Sequence, residues 1–409
     1  MKKKTTQPTR SKFSILCQLC NLIPRHLVPR VAKETGVHLK ARTFTAWSHL
    51  VSMMYLQLTR SISLNDLCDG LNLNRAELET IRGARPPSRN GLSHANKNRD
   101  AGFAERVFWE VMAHLQSLTP DFVRGRNRPV RRFRRAIHAI DSTTIKLVMS
   151  CFDWAKHRRR KAAAKLHVRL NLQSFLPGFV CIGKGSGHDV RYLNRLCNGL
   201  KSGEIAVFDM AYVAFEPLNE LTQRDVFWVS RVRKNQEFRV VKKRITKANG
   251  SILRDDVIRL TGVKSGKLYP RTLRRVRARV EVGGKLVEME FLTNNFDWSP
   301  SSIADLYKSR WSIEVFFRNI KQTLQLSDFV GYSENAVRWQ IWTALLVYML
   351  LSYLSFCSGW KKGFVRIWAI TRSILWRKLD LFKLLKSYGT APVPLKLRVA
   401  LDQAYLPGF

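Results

Sequence analysis

Acid is what this sequence has least of. Only 30 Asp and Glu stand against 71 Lys and Arg, so the 409-residue chain carries a formal charge of +41 and a pI near 10.7. A molecule that basic repels itself unless a polyanion is near, which makes nucleic acid the default partner. An anionic membrane surface is the competing polyanion. Ribosomal or histone-like packing does not suit a chain this long with 11 Trp. Paired cysteines are lacking too. The seven Cys (17, 20, 68, 151, 181, 197 and 357) are odd in number and scattered, which excludes a disulfide framework and fits a reducing compartment. Cys17-x-x-Cys20 has no second such pair or His pair nearby, so it reads as two small buried residues rather than a zinc site. No cleavable leader is evident, because SILCQLCNLIP is broken by Gln18 and Asn21 and no small-x-small site follows. Residues 1–12 read instead as a disordered basic tail. Internal repeats and low-complexity tracts are absent.

Charge is missing altogether from Trp339 to Trp360. That length could span a bilayer. Gln340, Thr343, Ser352 and Ser355 dilute it, however, and Arg338 and Lys361–Lys362 flank its two ends alike. A buried core helix is the preferred reading, with no membrane as partner. Hydrophobic content of 45% and aromatic content of 11% mark a globular chain, long enough for two or three domains.

Residues 13–118 have helical apolar spacing, with a break at Arg85-Pro86-Pro87-Ser88, and form a helical N-terminal domain. Ser63 and Ser93 are candidate helix caps. A basic linker, 119–135, holds seven Arg between 124 and 135. The pattern then becomes strand-like. Residues 136–237 read β-β-β-α-β-α-β, opening with an antiparallel meander, and AVFDMAY is an apolar strand ending in Asp209. Residues 238–290 read as an inserted β subdomain, with turns at Asn249-Gly250 and Gly283-Gly284. In it, Arg275, Arg277 and Arg279 alternate with apolar residues, which predicts a basic outer face. Residues 291–356 return to the first sheet and carry the helix around Tyr307; 357–409 form a C-terminal helical region.

The scarce acids matter most. Asp141 interrupts the first strand, Asp209 ends an apolar one, and Glu314 lies in YKSRWSIEVFFRNIKQTL, residues 307–324, which reads as one helix. On that helix Tyr307, Arg310, Glu314 and Lys321 fall at roughly 0°, 300°, 340° and 320°, one narrow stripe beside the apolar face. An Asp on a buried strand is costly unless paired, hydrogen-bonded or bound to metal. Three carboxylates on neighbouring elements of one sheet can hold Mg²⁺, a hard ion that takes oxygen ligands. Taken singly, each has a plainer reading: a strand-end Asp as a turn cap, Glu314 as the intrahelical partner of Arg310 or Arg318. The ordered set of strand Asp, strand-end Asp and helix Glu points to phosphoryl transfer.

Those motifs resemble the DDE transposases of IS-four-type insertion sequences. Tyr307-x₂-Arg310-x₃-Glu314-x₆-Lys321 is similar to that family's Tyr–Arg–Glu–Lys signature. AIDSTTIKL, VFDMAYV and LTNNFDWSPSSIADLYKSRWSIEVFFRNIKQTLQL resemble its three acid-bearing regions, and the resemblance covers nearly the whole chain. It implies an α/β fold: an RNase H-like catalytic core with an inserted β subdomain, plus a helical N-terminal domain and a helical C-terminus. Asp141, Asp209 and Glu314 would be the catalytic, metal-binding triad. Two Mg²⁺ ions are implied, with Mn²⁺ as a substitute. Tyr307, Arg310 and Lys321 would contact DNA phosphates. Trp298 is a candidate for stacking on a flipped base, or for packing the base of the insertion. Arg158, Arg159 and Arg160, in a basic helix or loop at 154–165, and Arg275, Arg277 and Arg279 are candidates for the DNA backbone. His167 and His188-Asp189 lie on or near the early strands and could reach the site; structural hydrogen bonds or caps are the preferred reading. The implied activity is a Mg-dependent DNA transposase, a polynucleotidyl transferase. It would cut at the ends of its insertion sequence and transfer the 3′-OH strand into target DNA through a hairpin intermediate. The implied partners are double-stranded inverted-repeat ends and target DNA, bound by a dimer in the bacterial cytoplasm at the nucleoid. The alternatives are an RNase H-like metal nuclease without strand transfer and an inactive DNA-binding homologue.

Overall fold

The computed structural model describes residues 9–387 apart from 38–42, 125–132, 148–150, 152–155, 159–160, 186, 233–234, 245–249, 283, 325 and 327–328. The chain opens with helices α1 (Ile15–Cys20), α2 (Leu27–Glu34), α3 (Ala46–Thr59), α4 (Leu64–Leu73), α5 (Arg75–Glu79), α6 (Arg89–Asn98), α7 (Gly102–Leu118) and α8 (Pro120–Arg124). Hydroxyl caps start several of them. Ser63 Oγ accepts from Asp66 N at 3.1 Å, and Ser88 Oγ from Gly91 N at 3.1 Å. The expected cap at Ser93 is corrected: Pro86 and Pro87 end the preceding turn early, so α6 starts at Arg89 and Ser93 lies inside it. Cys17 and Cys20 are buried in α1, and burial pushes both thiols up, which disfavours a thiolate.

Strands follow: β1 (Ile137–Leu147), β2 (Lys156–Arg158), β3 (Lys161–Asn171) and β4 (Leu176–Lys184). The basic stretch 154–165 is therefore not a helix or simple loop. Its described part is β2 and the start of β3, because Ala162, Ala163 and Ala164 are buried as they pair with β1. A 3₁₀ turn (Asp189–Tyr192) leads into α9 (Leu193–Cys197), then β5 (Ile205–Phe208), a 3₁₀ turn (Met210–Tyr212), α10 (Phe215–Gln223) and β6 (Phe227–Arg231). Beyond these lie β7 (Phe238–Lys243), β8 (Ile252–Leu260), α11 (Val263–Leu268), β9 (Leu273–Val282) and β10 (Lys285–Thr293).

Among the described residues, these ten strands make one sheet, in the order β2-β3-β1-β5-β6-β10-β9-β8-β7 with β4 paired to β3. β1, β5 and β6 run parallel to one another, while β3 and β10 are antiparallel to their neighbours. The segment 238–290 does not close as a sheet of its own. β10 pairs with both β6 and β9, so β7, β8 and β9 extend the central sheet. A buried pair ties this extension down: Arg274 meets both oxygens of Asp255 at 2.8 Å and donates to the Trp298 carbonyl at 2.6 Å.

Side-chain alternation divides the sheet between two cores. Ile137, Ala139, Ile205, Val207 and Val229 face one; Ile140, Ala206, Phe208 and Trp228 face the other. The first face is covered by α12 (Pro300–Ser309) and α13 (Ser312–Arg318), followed by a π turn (Asn319–Thr323). Then come α14 (Glu334–Ser358), α15 (Phe364–Ser373) and α16 (Leu381–Ser387).

The uncharged run is α14. By length and composition it is apolar enough to cross a membrane, yet 67% of its most apolar window is buried against the protein. It packs on α3, α6 and α7, so the helices of 13–118 complete their core only with this later segment. The Trp339 ring lies 4.1 Å from the buried His49 ring, and His49 Nε2 meets Asn96 Oδ1 at 2.8 Å. The predicted tail and linker are also amended. Residues 1–8 lie outside the described residues, but Arg10 bridges Leu379. Pro120–Arg124 of the linker is helical, and 125–132 lie outside the described residues, as do 388–409 of the C-terminal region.

Candidate active site

Strand register brings the first two acids together. Ile140 pairs with Phe208 across the parallel β1–β5 ladder, so the next residues, Asp141 and Asp209, are neighbours at about 4.8 Å strand spacing. Alternation puts both on the face that α12 and α13 cover. The third acid comes from above. The expected single helix over 307–324 is instead jointed. Around Arg310–Glu314 the backbone bonds run three residues apart, with Ile313 N to Arg310 O at 3.0 Å and Glu314 N to Trp311 O at 3.0 Å. After Arg318 the winding loosens into the π turn. Tight and wide steps follow each other, and the four polar residues still reach one region.

Their contacts are specific. Tyr307 Oη donates to Asp209 Oδ1 at 3.0 Å. Arg310 Nη1 donates to Asp141 Oδ2 at 2.6 Å, and its Nη2 stands 3.6 Å from Glu314 Oε1. Lys321 Nζ donates to the Thr144 carbonyl of β1 at 2.6 Å. Arg310 is buried beneath the Tyr307 ring at 5.6 Å, whereas the Glu314 side chain is 62% exposed and free to turn. Arg310 Nε is buried and, among the described residues, has no hydrogen-bond partner.

Burial pushes Asp141 up to about 6; the Arg310 cation and the Ser142 N–H pull it down, while Asp209 and Glu314 push it further up. Burial, then the Asp209 carboxylate, pushes Tyr307 up to about 12. Burial, aided by Lys146, lowers Lys321. The site thus holds more negative charge than its surroundings favour. Among the described residues, no three His, Cys, Asp or Glu side chains stand together as a ready metal cage. The donor set is nonetheless all oxygen, and Arg310 occupies the place of a cation between two of the acids. That suits a hard divalent ion.

A second polar group adjoins Asp141 and includes Asp189 and His167, both singled out from the sequence. Asp189 Oδ1 accepts from Ser142 Oγ at 2.7 Å and pairs with Lys165 Nζ at 2.8 Å. His167, opposite Ser142 on β3, stacks on Tyr192 with ring centroids 3.8 Å apart and meets Tyr212 Oη at 3.1 Å. Burial lowers His167 to about 4, so it stays neutral. His188 makes no capping bond with its side chain.

Other predicted residues fall elsewhere. Trp298 packs edge-on to Phe133 at 4.8 Å and against Phe227 at 5.1 Å. Phe227 pairs with Ile205, at the end of β5 remote from Asp209. The Trp298 ring is thus partly packed among aromatic side chains at the end of the sheet away from the acids, which favours the packing reading over stacking on a flipped base. Arg275, Arg277 and Arg279 do share a face, but acids share it with them. Arg275 meets Glu290 at 2.6 Å, Arg277 meets Glu288 at 2.6 Å, and Arg279 stands 3.6 Å from Glu288. The alternation Glu288-Met289-Glu290 in the paired strand was the signal for this neutralisation. Arg158 lies on β2 at a sheet edge; Arg159 and Arg160 lie outside the described residues.

Two neighbouring parallel strands thus bring two acids together, beneath a helix that carries a third among cations. The family model described as transposase DDE domain matches residues 132–350, more than half of the chain, and the chain belongs to that family. A domain of unknown function, DUF4372, matches residues 11–81. A probable transposase for insertion sequence element IS5377 of Geobacillus stearothermophilus is 30% identical over 61% of this chain and 65% of its own length. A putative transposase, y4zB, of Sinorhizobium fredii is 31% identical over 65% of this chain and 71% of its own. Transposase InsG for insertion sequence element IS4 of Escherichia coli is 25% identical over 46% of this chain and 43% of its own, in keeping with the IS4 type. The piggyBac transposase synaptic complex with hairpin DNA, solved by cryo-EM, covers 95% of this chain and 86% of its own at 11% identity. Its TM-score is 0.46, too loose a likeness to carry an argument.

Proposed function

We propose that this chain is a DNA transposase that cuts at the ends of its insertion sequence and joins the freed 3′-OH strand to target DNA. The observation that carries this reading is Arg310, bonded to Asp141 and facing Glu314 while its neighbour Tyr307 holds Asp209, so that these two residues of the signature hold all three acids. We read 136–237 and 291–356 as an RNase H-like core, with 238–290 inserted into it.

Asp141, Asp209 and Glu314 would hold the divalent ions, two Mg²⁺ or Mn²⁺ in this reading. Bound there, such ions polarise phosphoryl oxygens and lower the pKa of an attacking water. The chain's own residues do the rest. Asp209 is oriented by Tyr307. Arg310 balances Asp141 in the free protein and has an unpartnered Nε that a phosphate oxygen would satisfy, as suits a bidentate guanidinium. Lys321 adds a point charge at the β1 edge. Water attacks the phosphodiester at the element's end, breaking the P–O3′ bond and releasing a 3′-OH. That hydroxyl next attacks a phosphodiester of the opposite strand, forming a hairpin on the element's end and breaking the P–O3′ bond there, so that the flanking strand leaves with a 3′-OH. A second hydrolysis reopens the hairpin before the 3′-OH attacks target DNA. Each attack exchanges one P–O bond for another and needs no redox partner. Two ends must be joined, so we place the active species as a dimer on DNA, at the nucleoid in the cytoplasm.

The test is cleavage of labelled duplex taken from the DNA flanking the gene, with Mg²⁺ or with EDTA. Wild type should nick with Mg²⁺ only and give hairpin or joined products; Glu314→Ala should nick at least about a hundredfold more slowly. Nicked products that never join would leave a nuclease in place of a transposase.

A further inference from the structure

The outer face of α6 is chemically unlike its neighbours. Arg89, Asn90, Ser93, His94, Lys97 and Asn98 are exposed, while Leu92, Ala95 and Asn96 point inward. At about 100° per residue the exposed six cover half the helix circumference. None is acidic and none is apolar. Among the described residues, Arg89 and Lys97 enter no ion pair. Neighbouring helices differ: Arg30 of α2 and Arg106 of α7 are tied to Glu34 and Glu110, and α4 presents Asp66 and Asp69. In a chain of net charge +41, an acid-free face rich in amides and cations is complementary to DNA.

The residue types distinguish what it would contact. Asn pairs bidentately with adenine, Arg and Lys reach guanine, and Ser and His serve either donors or acceptors. A ten-residue helix is about 15 Å long and enters a B-DNA major groove about 12 Å wide. The RNA major groove is too narrow to admit it, and a membrane would need apolar side chains that this face lacks.

The helix is also held rigidly. Asn335, in the first turn of α14, donates to the carbonyls of Asn96 at 2.9 Å and Arg99 at 2.6 Å. Trp339 Nε1 donates to the Arg99 carbonyl at 2.7 Å. Since α14 is the next helix after the π turn that carries Lys321, one scaffold links this face to the site. We propose that the outer face of α6 reads base edges in the major groove of the element's terminal DNA, at a fixed distance from the scissile phosphate. The inference rests on the transposase reading for its ligand.

The experiment measures binding of the full chain to terminal duplex and to a scrambled duplex of equal composition, alongside nicking of the terminal duplex. Asn90→Ala with His94→Ala should cut the terminal-over-scrambled affinity ratio about tenfold or more, leaving scrambled binding unchanged. Arg89→Ala with Lys97→Ala should weaken both duplexes alike and flatten the salt dependence by one to two in log–log slope. Ser93→Glu, at an exposed position, should weaken terminal binding about tenfold through repulsion. Wild-type preference and nicking, with the ratio intact in the first variant at an unchanged melting temperature, would overturn this inference alone. Absence of both preference and nicking in wild type would overturn the transposase reading with it.

Discussion

Arg310 and Asp141 hold each other in a compromise. Desolvation raises the carboxyl to about 6, and the guanidinium at 2.6 Å is the largest opposing influence. A carboxyl raised above its usual value binds its proton more tightly in the folded state, so its ionisation costs stability as pH rises from about 4 through 6. Cation binding offsets that cost. Nicking that needs ionised Asp141 should therefore decline as pH falls through about 6 at a fixed, sub-saturating Mg²⁺ concentration. Arg310→Gln removes the cation and should move that acid limb to higher pH, as single-turnover rates across pH 5–8 would reveal; an unmoved limb would separate Arg310 from Asp141 in function. The identities of Asp141, Asp209 and Glu314 were legible in the sequence because acids are scarce and each interrupts an apolar pattern. That Tyr307 and Arg310 turn toward carboxylates was not, since a helical wheel gives direction but not partner. Asp189 was legible as a residue near the early strands, but not as the partner of Ser142 beside Asp141, because Ser142 carries no sequence pattern of its own.

At the scale of elements, periodicity served well where a segment keeps one winding and failed where it changes. The succession β1, β3, β4, β5 and β6 could be written from the apolar runs, whereas β2, three residues in the basic stretch read as a helix or loop, could not. The joint at Arg310 and the π turn after Arg318 could not, because both lie inside one amphipathic pattern whose buried residues, Ile313, Phe316, Phe317 and Ile320, continue across them. Likewise the strands of 238–290 were legible, but their joining to β6 depends on β10 having two partners, which no local signal encodes. The pair Arg274–Asp255 fixes this extension to the loop before α12. Arg274→Ala leaves Asp255 buried with only Arg244 at 3.6 Å and should lower stability by about 3–5 kcal/mol. Replacing both residues with apolar ones, Arg274→Met with Asp255→Leu, should recover most of that loss. Thermal melting of the single and double variants checks both expectations.

Over the whole molecule, helices early and late in the chain share one core. His49 of α3 records this: it is fully buried against Trp339 of α14, and burial lowers its pKa to about 3. A histidine depressed this far stabilises the fold fully above its ordinary value near 6.5, and that stability is lost as pH falls toward 3, because the unfolded chain takes up the proton first. Acid should weaken wild type by a few kcal/mol over that window, to order of magnitude. His49→Gln should be less stable at pH 7 yet lose less between pH 6.5 and 4 in urea titrations; equal losses would remove His49 from the acid response. Because α14 packs on α3 as well as on α6 and α7, the part of the chain matched as DUF4372 and the part matched as transposase DDE domain share one buried core. On the proposed function, a change of terminal repeat would come from substitution at the exposed positions of α6, one side chain at a time, on a scaffold shared with the cutting site.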